Sequence, residues 1–378
     1  MFSKNLDMKS SYKRLGEYIE VVEERNRDLS VKLSQGICNM KYFQDPRQVA
    51  ENSAADKIVR KGWFAYNRAT TRNGDKISIA YRDGEDCTVS ASYLTFKIKD
   101  EELLNPYYLM MWFKRPEFDR YARFKSHGSA HEYFEWEEMC EVMLPVPPIE
   151  EQRRIVAEYQ AVEGRIENNR RLIATLESTA QTIYRKMFVD NIDPNNLPQG
   201  WHMGKLSDIV DYVNEKVNSH ESNCYISTEN MLKDFGGVAF ADDVPEEIRG
   251  TKFKKGDILL SNIRPYFRKL WLSDRDGCCS NDVLCFRSNN SLLKDLPFYI
   301  MSNNQFFDYV MAGANGVKMP RGDKEWIMNY SVPIPNEISL MQFSDKVKRI
   351  KRYRSLLDSE EHVLNKFKDI LFTKLSNL

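Results

Sequence analysis

The sequence predicts an α+β protein in which two globular domains are joined by two long antiparallel helices that form a coiled coil. A proline-rich junction occurs twice, as LPVPPIEEQRRI at Leu144–Ile155 and, less closely, as VPIPNEISLMQFSDKV at Val332–Val347. Each junction runs into a long helical pattern, and the two halves of the chain align at an offset of about 190 residues. An internal repeat explains these observations most simply.

The aligned segments occur in the same order in both halves. VRKGWFAYNR (Val59–Arg68) aligns with FKKGDILLSN (Phe253–Asn262), and VSASYLTFK (Val89–Lys97) aligns with CSNDVLCFR (Cys279–Arg287). In the first pair, a Lys-Gly turn precedes an apolar run that is typical of a buried strand. Each half is therefore expected to contain short strands connected by turns, including a hairpin turn at Arg72–Asp75.

A short helix is predicted after the strands of each half, at Pro106–Phe113 and near Pro297–Met301, because proline is favoured in the first turn of a helix. The preceding residue, Asn105, invites comparison with the NPPY motif of adenine methyltransferases. The second proline of that motif is missing, and no glycine-rich FxGxG cofactor loop lies upstream. We therefore interpret the segment as the start of a helix, and we predict that the chain itself is not an enzyme and has no catalytic residues.

The two long helices give the clearest periodic signal, with steps of three and four residues that are typical of a coiled-coil seam. The predicted seam positions are Tyr159, Val162, Ile166, Asn169, Ile173, Leu176, Ala180, Ile183 and Met187 in the first helix, and Val347, Ile350, Tyr353, Leu357, Leu364, Phe367, Leu371 and Leu375 in the second. Asn169 is expected to fix the register of the seam at some cost in stability. Because neither seam can remain in water, the two helices should pack on each other.

The repeat and the helices together define the predicted domain organisation. A first globular domain is expected at residues 1–148, a coiled-coil helix at 149–190, a second globular domain at 191–335 and a second coiled-coil helix at 336–378. If a pseudo-two-fold axis relates the halves, the helices run antiparallel and the globular domains lie at opposite ends of a rod that is roughly 58 Å long, at ~1.5 Å per residue.

The composition narrows the class of protein. Because 55 basic residues balance 55 acidic residues, a uniformly basic nucleic-acid coat is disfavoured. Positive charge is local, since Arg60–Arg82 contains six Lys or Arg against one acid and Arg249–Arg275 contains eight against two. Seven cysteines without a CxxC pair, the absence of an apolar run long enough to span a bilayer and the absence of a signal sequence predict a cytoplasmic protein without disulfides or a membrane partner.

Two loops in each half carry the candidate DNA-binding residues. One loop follows a strand end in each basic cluster, and the other precedes each junction, as FKSHGSAHEYFEW at Phe124–Trp136 and NGVKMPRGDKEW at Asn315–Trp326, where Gly128 and Gly316 allow close approach of the backbone. Lys and Arg are expected to bind phosphates and polar side chains to contact base edges, and the alternative is a solvated loop. The candidates are Asn67, Arg68, Thr70, Thr71, Arg72, Lys125, His127, Ser129, His131, Asn262, Arg264, Tyr266, Arg268, Lys269, Lys318 and Arg321. His127 and His131 lack an HExxH pattern, so no metal site is predicted.

At this point the sequence resembles a known family. LPVPPIEEQRRIVAEYQAVEGRI followed by LESTAQTIYRKMF is similar to the central conserved region of type I restriction-modification specificity subunits, usually called HsdS. VPIPNEISLMQFSDKV and LNKFKDILFTKL are similar to the distal conserved region of that family. Tyr225–Met231 and Leu260–Trp271 resemble motifs of its target recognition domains. The distal copy has Ser339-Leu340-Met341-Gln342 in place of Glu-Glu-Gln, and the first domain matches the Tyr225–Met231 motif only at Asn39-Met40.

The resemblance implies a DNA sequence-specificity subunit without catalytic activity of its own. In that family each recognition domain binds one half of a bipartite, asymmetric DNA target, and the helices set the spacer and dock two methyltransferase subunits. Restriction and motor subunits complete an assembly with adenine methyltransferase and ATP-dependent endonuclease activities. S-adenosylmethionine, ATP and Mg²⁺ then belong to the partner subunits, and this chain needs no cofactor.

Two alternatives remain open from the sequence. The chain could be the specificity subunit of a fused restriction-methyltransferase system outside type I. It could also be a coiled-coil adaptor that binds proteins rather than DNA, although the matched basic clusters in the two halves count against this alternative.

Overall fold

The structure is a computed structural model, and it describes residues 12–46, 53–69, 76–127, 132–190, 192–219, 224–239 and 248–375. The chain divides into two compact units. Unit 1 comprises Met1–Asn169 with Asp358–Leu378, and unit 2 comprises Arg170–Leu357. Each unit therefore contains one globular head and one segment from each of the two long helices. The α+β fold class that the sequence predicts is confirmed.

The head of unit 1 contains ten short strands and three helices in its described part. The strands are β1 (Tyr12–Arg14), β2 (Ile19–Val21), β3 (Gly36–Ile37), β4 (Phe43–Gln44), β5 (Lys57–Val59), β6 (Trp63–Asn67), β7 (Ile79–Tyr81), β8 (Cys87–Val89), β9 (Tyr93–Ile98) and β10 (Met143–Pro145). The helices are α1 (Pro106–Phe113), α2 (Pro116–Phe124) and α3 (Trp136–Cys140). The first helix begins where the sequence predicted, because the side chain of Asn105 accepts hydrogen bonds from the backbone amides of Tyr107 and Tyr108.

A four-stranded antiparallel sheet, in the order β2-β9-β6-β7, forms the centre of this head. Strand β5 pairs with β8, and β3 pairs with β4. Strand β1 lies antiparallel to β10, so the segment that enters the head lies beside the segment that leaves it. The rings of Phe64 and Phe96 stack in the core of this head, with their centroids 4.9 Å apart. The same core includes buried side chains of α1.

The head of unit 2 repeats this order of elements. Its strands are β11 (His202–Lys205), β12 (Val210–Tyr212), β13 (Lys216–Ser219), β14 (Tyr225–Ile226), β15 (Ile248–Phe253), β16 (Ile258–Ser261), β17 (Leu270–Leu272), β18 (Gly277–Cys279), β19 (Val283–Ser288) and β20 (Ser331–Ile334). Its helices are α5 (Leu296–Met301), α6 (Asn304–Ala312) and α7 (Lys324–Met328), and the long helix α4 (Ile149–Phe188) precedes the head.

The central sheet and the entry–exit strand pair of unit 2 match those of unit 1. The order β12-β19-β16-β17 corresponds to β2-β9-β6-β7, and the pair β11-β20 corresponds to β1-β10. The second sheet, β13-β15-β18-β14, is more regular in unit 2, whereas unit 1 has single bridges at Arg25–Lys57 and Ser34–Thr88 in the corresponding places. This common order confirms the internal repeat that the sequence predicts.

The long helices run antiparallel within each unit. Helix α4 has 40 residues, and helix α8 (Glu337–Leu375) has 39. In unit 1 the ring of Tyr159 packs on Phe372 at 5.4 Å, and Asn169 Nδ2 donates to Glu360 Oε2 at 3.0 Å. In unit 2 Phe188 packs on Phe343 at 5.0 Å, and Arg354 pairs with Glu177 at 3.2 Å. Among the contacting pairs, the residue number in α4 increases as the residue number in α8 decreases, which is the pattern of antiparallel helices.

Two predicted seam residues of the second helix are wrong. Tyr353 and Phe367 are exposed, at 48% and 42% of their surfaces. The next residues along the helix, Arg354 and Lys368, pair instead with acids of α4. A long basic side chain can cover apolar surface with its methylene groups while its charge reaches an acidic partner, so periodicity of apolar residues alone misassigned this face.

The first junction is locked by Gln152, which is fully buried. Its side-chain oxygen accepts from the amide of Asn105 at 2.8 Å, and its Nε2 donates to the carbonyl oxygens of Leu103 at 2.9 Å and Pro147 at 2.8 Å. Two of these bonds tie the start of α4 to the connection before α1, and the third, to Pro147, lies within the junction itself. Leu340 lies at the corresponding place in the second junction and is buried in an apolar core instead.

None of the helices in the described ranges is both long enough and apolar enough to cross a membrane. The seven cysteines, all of which are described, form no disulfide, and five of them are buried.

The Lys-Gly turns give a direct test of the fold. Gly62 and Gly256 have φ angles of 91° and 93°, and nothing lies near a Cβ built on either. A Gly62→Ala variant should therefore lose about 1–2 kcal/mol of unfolding free energy through backbone strain alone. Gly164→Ala is the control, because this exposed glycine lies within α4 and alanine there should add about 0.5–1 kcal/mol. Denaturant unfolding measures both, and equal effects would contradict the assigned turn.

Candidate nucleic-acid interface

The structure brings the two predicted loops of the second head together. Asn315 and Arg321 exchange backbone hydrogen bonds of 2.8 and 2.9 Å, which close a short hairpin at the tip of the second loop. Ile263 forms a bridge with Arg321, and the amide of Arg264 donates to the carbonyl of Pro320 at 2.8 Å. The loop after β16 and the loop before α7 therefore form one continuous surface.

The first head pairs its two loops in the same way. Ala69 forms a bridge with Tyr133, and His127 and Tyr133 exchange backbone hydrogen bonds of 2.9 and 3.1 Å. The amide of Phe134 donates to the carbonyl of Arg68 at 2.9 Å. Sequence reasoning proposed the four loops separately, whereas the structure assembles them as one pair in each head.

Three predicted residues of the second head project from this surface. Arg264, Tyr266 and Lys318 are exposed, and within the described ranges neither Arg264 nor Lys318 has an acidic partner. The backbone of Arg264 has a positive φ of 50°, a conformation that is uncommon for arginine. An arginine and a lysine on one rigid surface can bind two phosphates of a nucleic-acid backbone.

Two other predicted residues of this head, Arg268 and Lys269, are held by contacts within the protein. Arg268 Nε donates to Asp234 Oδ1 at 2.9 Å, and its Nη1 donates to Asn304 Oδ1 at 3.0 Å. Lys269 donates to the carbonyl of Thr228 at 2.6 Å. The pKa of Lys269 is lowered mainly by partial burial, and the nearby charge of Lys233 lowers it further. These bonds show that Arg268 and Lys269 shape the loop.

Arg321 and Asn262 occupy intermediate positions in the second head. The guanidinium of Arg321 is exposed and pairs with Asp282 at 3.2 Å. The side-chain oxygen of Asn262 is buried and has no hydrogen-bond partner among the described residues. A Cβ built on Gly322 would lie 2.9 Å from that oxygen, so glycine keeps the space around it open.

The described candidates of the first head are mostly engaged with acids. Arg68 pairs with Glu135 at 3.1 Å and lies 5.9 Å from the ring of Tyr133, while the side-chain oxygen of Asn67 accepts from the amide of Ala69 at 3.1 Å. Lys125 pairs with Glu138 at 3.0 Å, and this hydrogen bond raises the pKa of Lys125.

His127 is largely exposed, and its Nε2 lies 3.9 Å from Glu138 Oε1. Thr70, Thr71, Arg72, Ser129 and His131, together with Gly128 and the predicted hairpin turn at Arg72–Asp75, lie outside the described residues. Within the described ranges, no three His, Cys, Asp or Glu side chains cluster in a way that could hold a metal ion.

The motif at Tyr225–Met231 contacts the loop after β16. Asn230 Oδ1 accepts from the amide of Ser227 at 2.9 Å and from its hydroxyl at 2.8 Å, which closes a turn after β14. The carbonyl of Thr228 within this turn receives the ammonium of Lys269. The motif thus positions the loop after β16.

Sequence reasoning missed the acids Asp234, Glu135 and Glu138, because each lies on a segment separated in sequence from its basic partner. It also missed Val317 and Met319, which flank Lys318 and are exposed at the tip of the closed hairpin. The sequence carries no distinct signal for these two, since single apolar residues are common on protein surfaces.

Comparisons with known proteins agree with this geometry. Residues 13–178 match the family model described as the type I restriction modification DNA specificity domain. The chain is 22% identical over 208 residues to the EcoDI specificity subunit of Escherichia coli, which covers 54% of this chain and 45% of that protein. It is 19% identical over 252 residues to the MjaVIII specificity subunit of Methanocaldococcus jannaschii, which covers 60% and 59%. The chain thus spans about half the length of these curated relatives.

A solved structure shares the fold. It is a type I restriction-modification S subunit from M. genitalium, with a TM-score of 0.54 and 13% identity over 96% of this chain and 95% of that one. At this identity the similarity shows the fold alone.

Together these matches indicate the class of protein, since residues 13–178 match the model of the type I restriction modification DNA specificity domain. The resemblance that the sequence predicted is confirmed, and the matches indicate a specificity subunit of a type I restriction-modification system.

The contacts of Arg268 predict that it stabilises the loop and does not bind the nucleic acid. Arg268→Ala and Asp234→Ala remove the same ion pair, so both should speed amide exchange at Asp234 and Phe235, whose amides donate to the carbonyls of Phe267 and Arg268. Hydrogen exchange measured on both variants tests this expectation. A DNA-binding loss for Arg268→Ala that Asp234→Ala does not share would show that Arg268 contacts DNA directly.

Proposed function

We propose that each head binds one half of a bipartite, asymmetric DNA target through its paired loops. The observation that carries this proposal is the equivalent pairing in both heads, at Ala69–Tyr133 and at Ile263–Arg321. Two similar surfaces on different loop sequences suit two different half-sites. The family match to a DNA specificity domain supports the same conclusion for the first head.

The chemistry of the second head fits a duplex. Arg264 and Lys318 supply positive charge for phosphates, which positions a protein on DNA without selecting a sequence. Tyr266 offers a hydroxyl group at the same surface, and such groups can distinguish base edges. Positioning and discrimination are therefore both available on one pair of loops.

The helices set the spacer between the half-sites. Helices α4 and α8 are unbroken over 40 and 39 residues, and each contributes to the core of both units. A head cannot move along the helices without breaking that core, so helix length fixes the position at which each head is attached.

Helix α8 also offers a docking surface for a methyltransferase subunit. Val363, Phe367 and Ile370 are exposed by 63%, 42% and 52%, and their spacing of four and three residues places them on one face of the helix. An exposed apolar stripe on a helix suits a partner helix. The assembly proposed here contains two methyltransferase subunits, with restriction and motor subunits in addition.

Within that assembly the chain is the non-catalytic, sequence-selecting part. S-adenosylmethionine, ATP and Mg²⁺ are bound by the partner subunits, and the reaction takes place in the cytoplasm. The free cysteines are compatible with a reducing compartment.

The phosphate contacts can be tested through salt dependence. Arg264→Ala with Lys318→Ala should weaken binding of the assembled complex to its target duplex and reduce the slope of log K against log salt by about 0.9 for each lost contact. The matched control, Lys346→Ala with Lys348→Ala, removes the same charge from exposed positions of α8. If the folded loop variant keeps an unchanged slope, these loops do not contact DNA. If the control changes the slope equally, the effect comes from net charge and not from contacts of the loops.

The spacer role predicts a specific change in target geometry. Seven residues inserted after Leu172 in α4 and seven after Asp358 in α8 keep both stripes in phase. The rod lengthens by roughly 10 Å at ~1.5 Å per residue, so the preferred spacer should grow by about three base pairs at ~3.4 Å each. Selection of cleaved or methylated sites from a spacer library measures this. An active complex that keeps its spacer contradicts the role of the helices, and altered half-sites would show that the helices shape the loops.

A further inference from the structure

A buried ion pair lies in the first head, away from the predicted DNA contacts. Lys41 Nζ is 2.7 Å from Asp119 Oδ1, and the two residues are only 6% and 8% exposed. The ammonium also donates to the carbonyl of Phe113, at the end of α1, and lies 5.5 Å from the ring of Phe118. Lys41 itself lies at the tip of the β3–β4 hairpin with a positive φ of 67°. The pair therefore joins this hairpin to α1 and α2.

The same carboxylate oxygen holds a third segment. Asp119 Oδ1 accepts from the amide of Ile77 at 3.1 Å, and Ile77 is fully buried two residues before β7. The next residue, Ser78, accepts from the amide of Asn67 at 2.9 Å, and Asn67 is followed by Arg68 in the paired loops. A continuous chain of bonded neighbours thus runs from Asp119 to the end of β6.

The second head fills the corresponding place with an apolar pair. Helices α2 and α6 occupy equivalent positions and each have nine residues, so their fourth residues, Asp119 and Phe307, correspond. Phe235, which also has a positive φ at a hairpin tip, packs on Phe307 with ring centroids 5.6 Å apart. Packing at this place therefore does not require charge.

The ion pair carries a solvation cost that an aromatic pair avoids. Burial lowers the pKa of the Lys41 ammonium, against the opposing influence of Asp119. Replacement of buried ion pairs by apolar residues is often neutral or stabilising. What the carboxylate supplies and an apolar side chain cannot is a hydrogen-bond acceptor in a fixed direction for the amide of Ile77.

We propose that Lys41 and Asp119 are positioning residues of the first head, which hold Ile77–Ser78 and through them Asn67 and Arg68 in the arrangement that discriminates the first half-site. Lys41 orients and neutralises the carboxylate, and Asp119 fixes the returning strand. The inference rests on the proposed function, since it assigns a role in half-site recognition. It also makes a claim about the free protein that requires no DNA.

The test replaces the ion pair by an apolar pair, Lys41→Leu with Asp119→Leu, in the full chain. The thermal midpoint should change little, whereas amide exchange at Ile77 should accelerate at least tenfold. Glu117→Gln is the matched control, because it removes a carboxylate from the same helix at an exposed position, where Glu117 pairs with Arg115 and Arg120. Unchanged exchange at Ile77 in the folded double variant overturns the proposal whatever the DNA result.

The second readout uses the assembled complex on duplexes in which one half-site is scrambled. The preference for an intact first half-site should be at least tenfold smaller in the double variant than in the wild-type protein. The preference for the second half-site should be unchanged. Asp119→Asn, which retains an acceptor oxygen, should restore discrimination of the first half-site. Retained discrimination in the double variant contradicts the proposal. If wild-type protein prefers neither half-site, the proposed function fails, and the exchange result still decides whether Asp119 positions Ile77.

If the double variant does not fold, Lys41→Met with Asp119→Ala provides the comparison, because it also removes the acceptor of Ile77 and leaves no unpaired charge buried. The same acceleration at Ile77 is expected, and its absence contradicts the proposal.

Discussion

The apolar stripes of the two long helices cannot remain in water, and their burial is the constraint on which the rest of the structure depends. In unit 1 one core contains the central sheet of the head, residues such as Tyr159 and Ile166 of α4, and Leu371 and Leu375 of α8. In unit 2 Tyr184 of α4 and Phe343 of α8 enter the core of the second head. Each head is thus completed by segments from both helices, which explains why the junction between head and helix occurs twice. Buried Gln152 fixes the angle at the first junction with three hydrogen bonds, whereas Leu340 achieves attachment at the second by packing.

Much of this fold was predictable because it depends on local patterns. Periodicity located both helices, proline and Asn105 marked the start of α1, and the repeat gave the matching order of strands. The face of α8 was less predictable, since Tyr353 and Phe367 are exposed and the adjacent Arg354 and Lys368 pair with acids of α4. Long basic side chains can pack along a seam when acids lie opposite, and those acids belong to a helix nearly 200 residues away in sequence. The role of Gln152 was hidden for the same reason, because two of its three partners come from the connection before α1.

The candidate interface divides along the same line. The sequence identified the loops by their charge and glycines, and the structure joins them in pairs within each head. The sequence could not distinguish the exposed residues Arg264 and Lys318 from Arg268 and Lys269. The latter two hold the loop through their bonds to Asp234 and Thr228. That distinction depends on which acids and carbonyl groups are near in space. The two heads also differ in how they stabilise their loops, by a buried ion pair at Lys41–Asp119 in one and by aromatic packing at Phe235–Phe307 in the other.

The central proposal is that one chain selects DNA through two heads, each attached at its own place on the two long helices. The most direct measurement is a genome-wide map of methylated adenines in cells that express this chain with its methyltransferase partner. The account predicts a single bipartite motif, with two unrelated half-sites separated by a spacer of constant length and unspecified sequence. A contiguous motif, a variable spacer or methylation without sequence preference would contradict it.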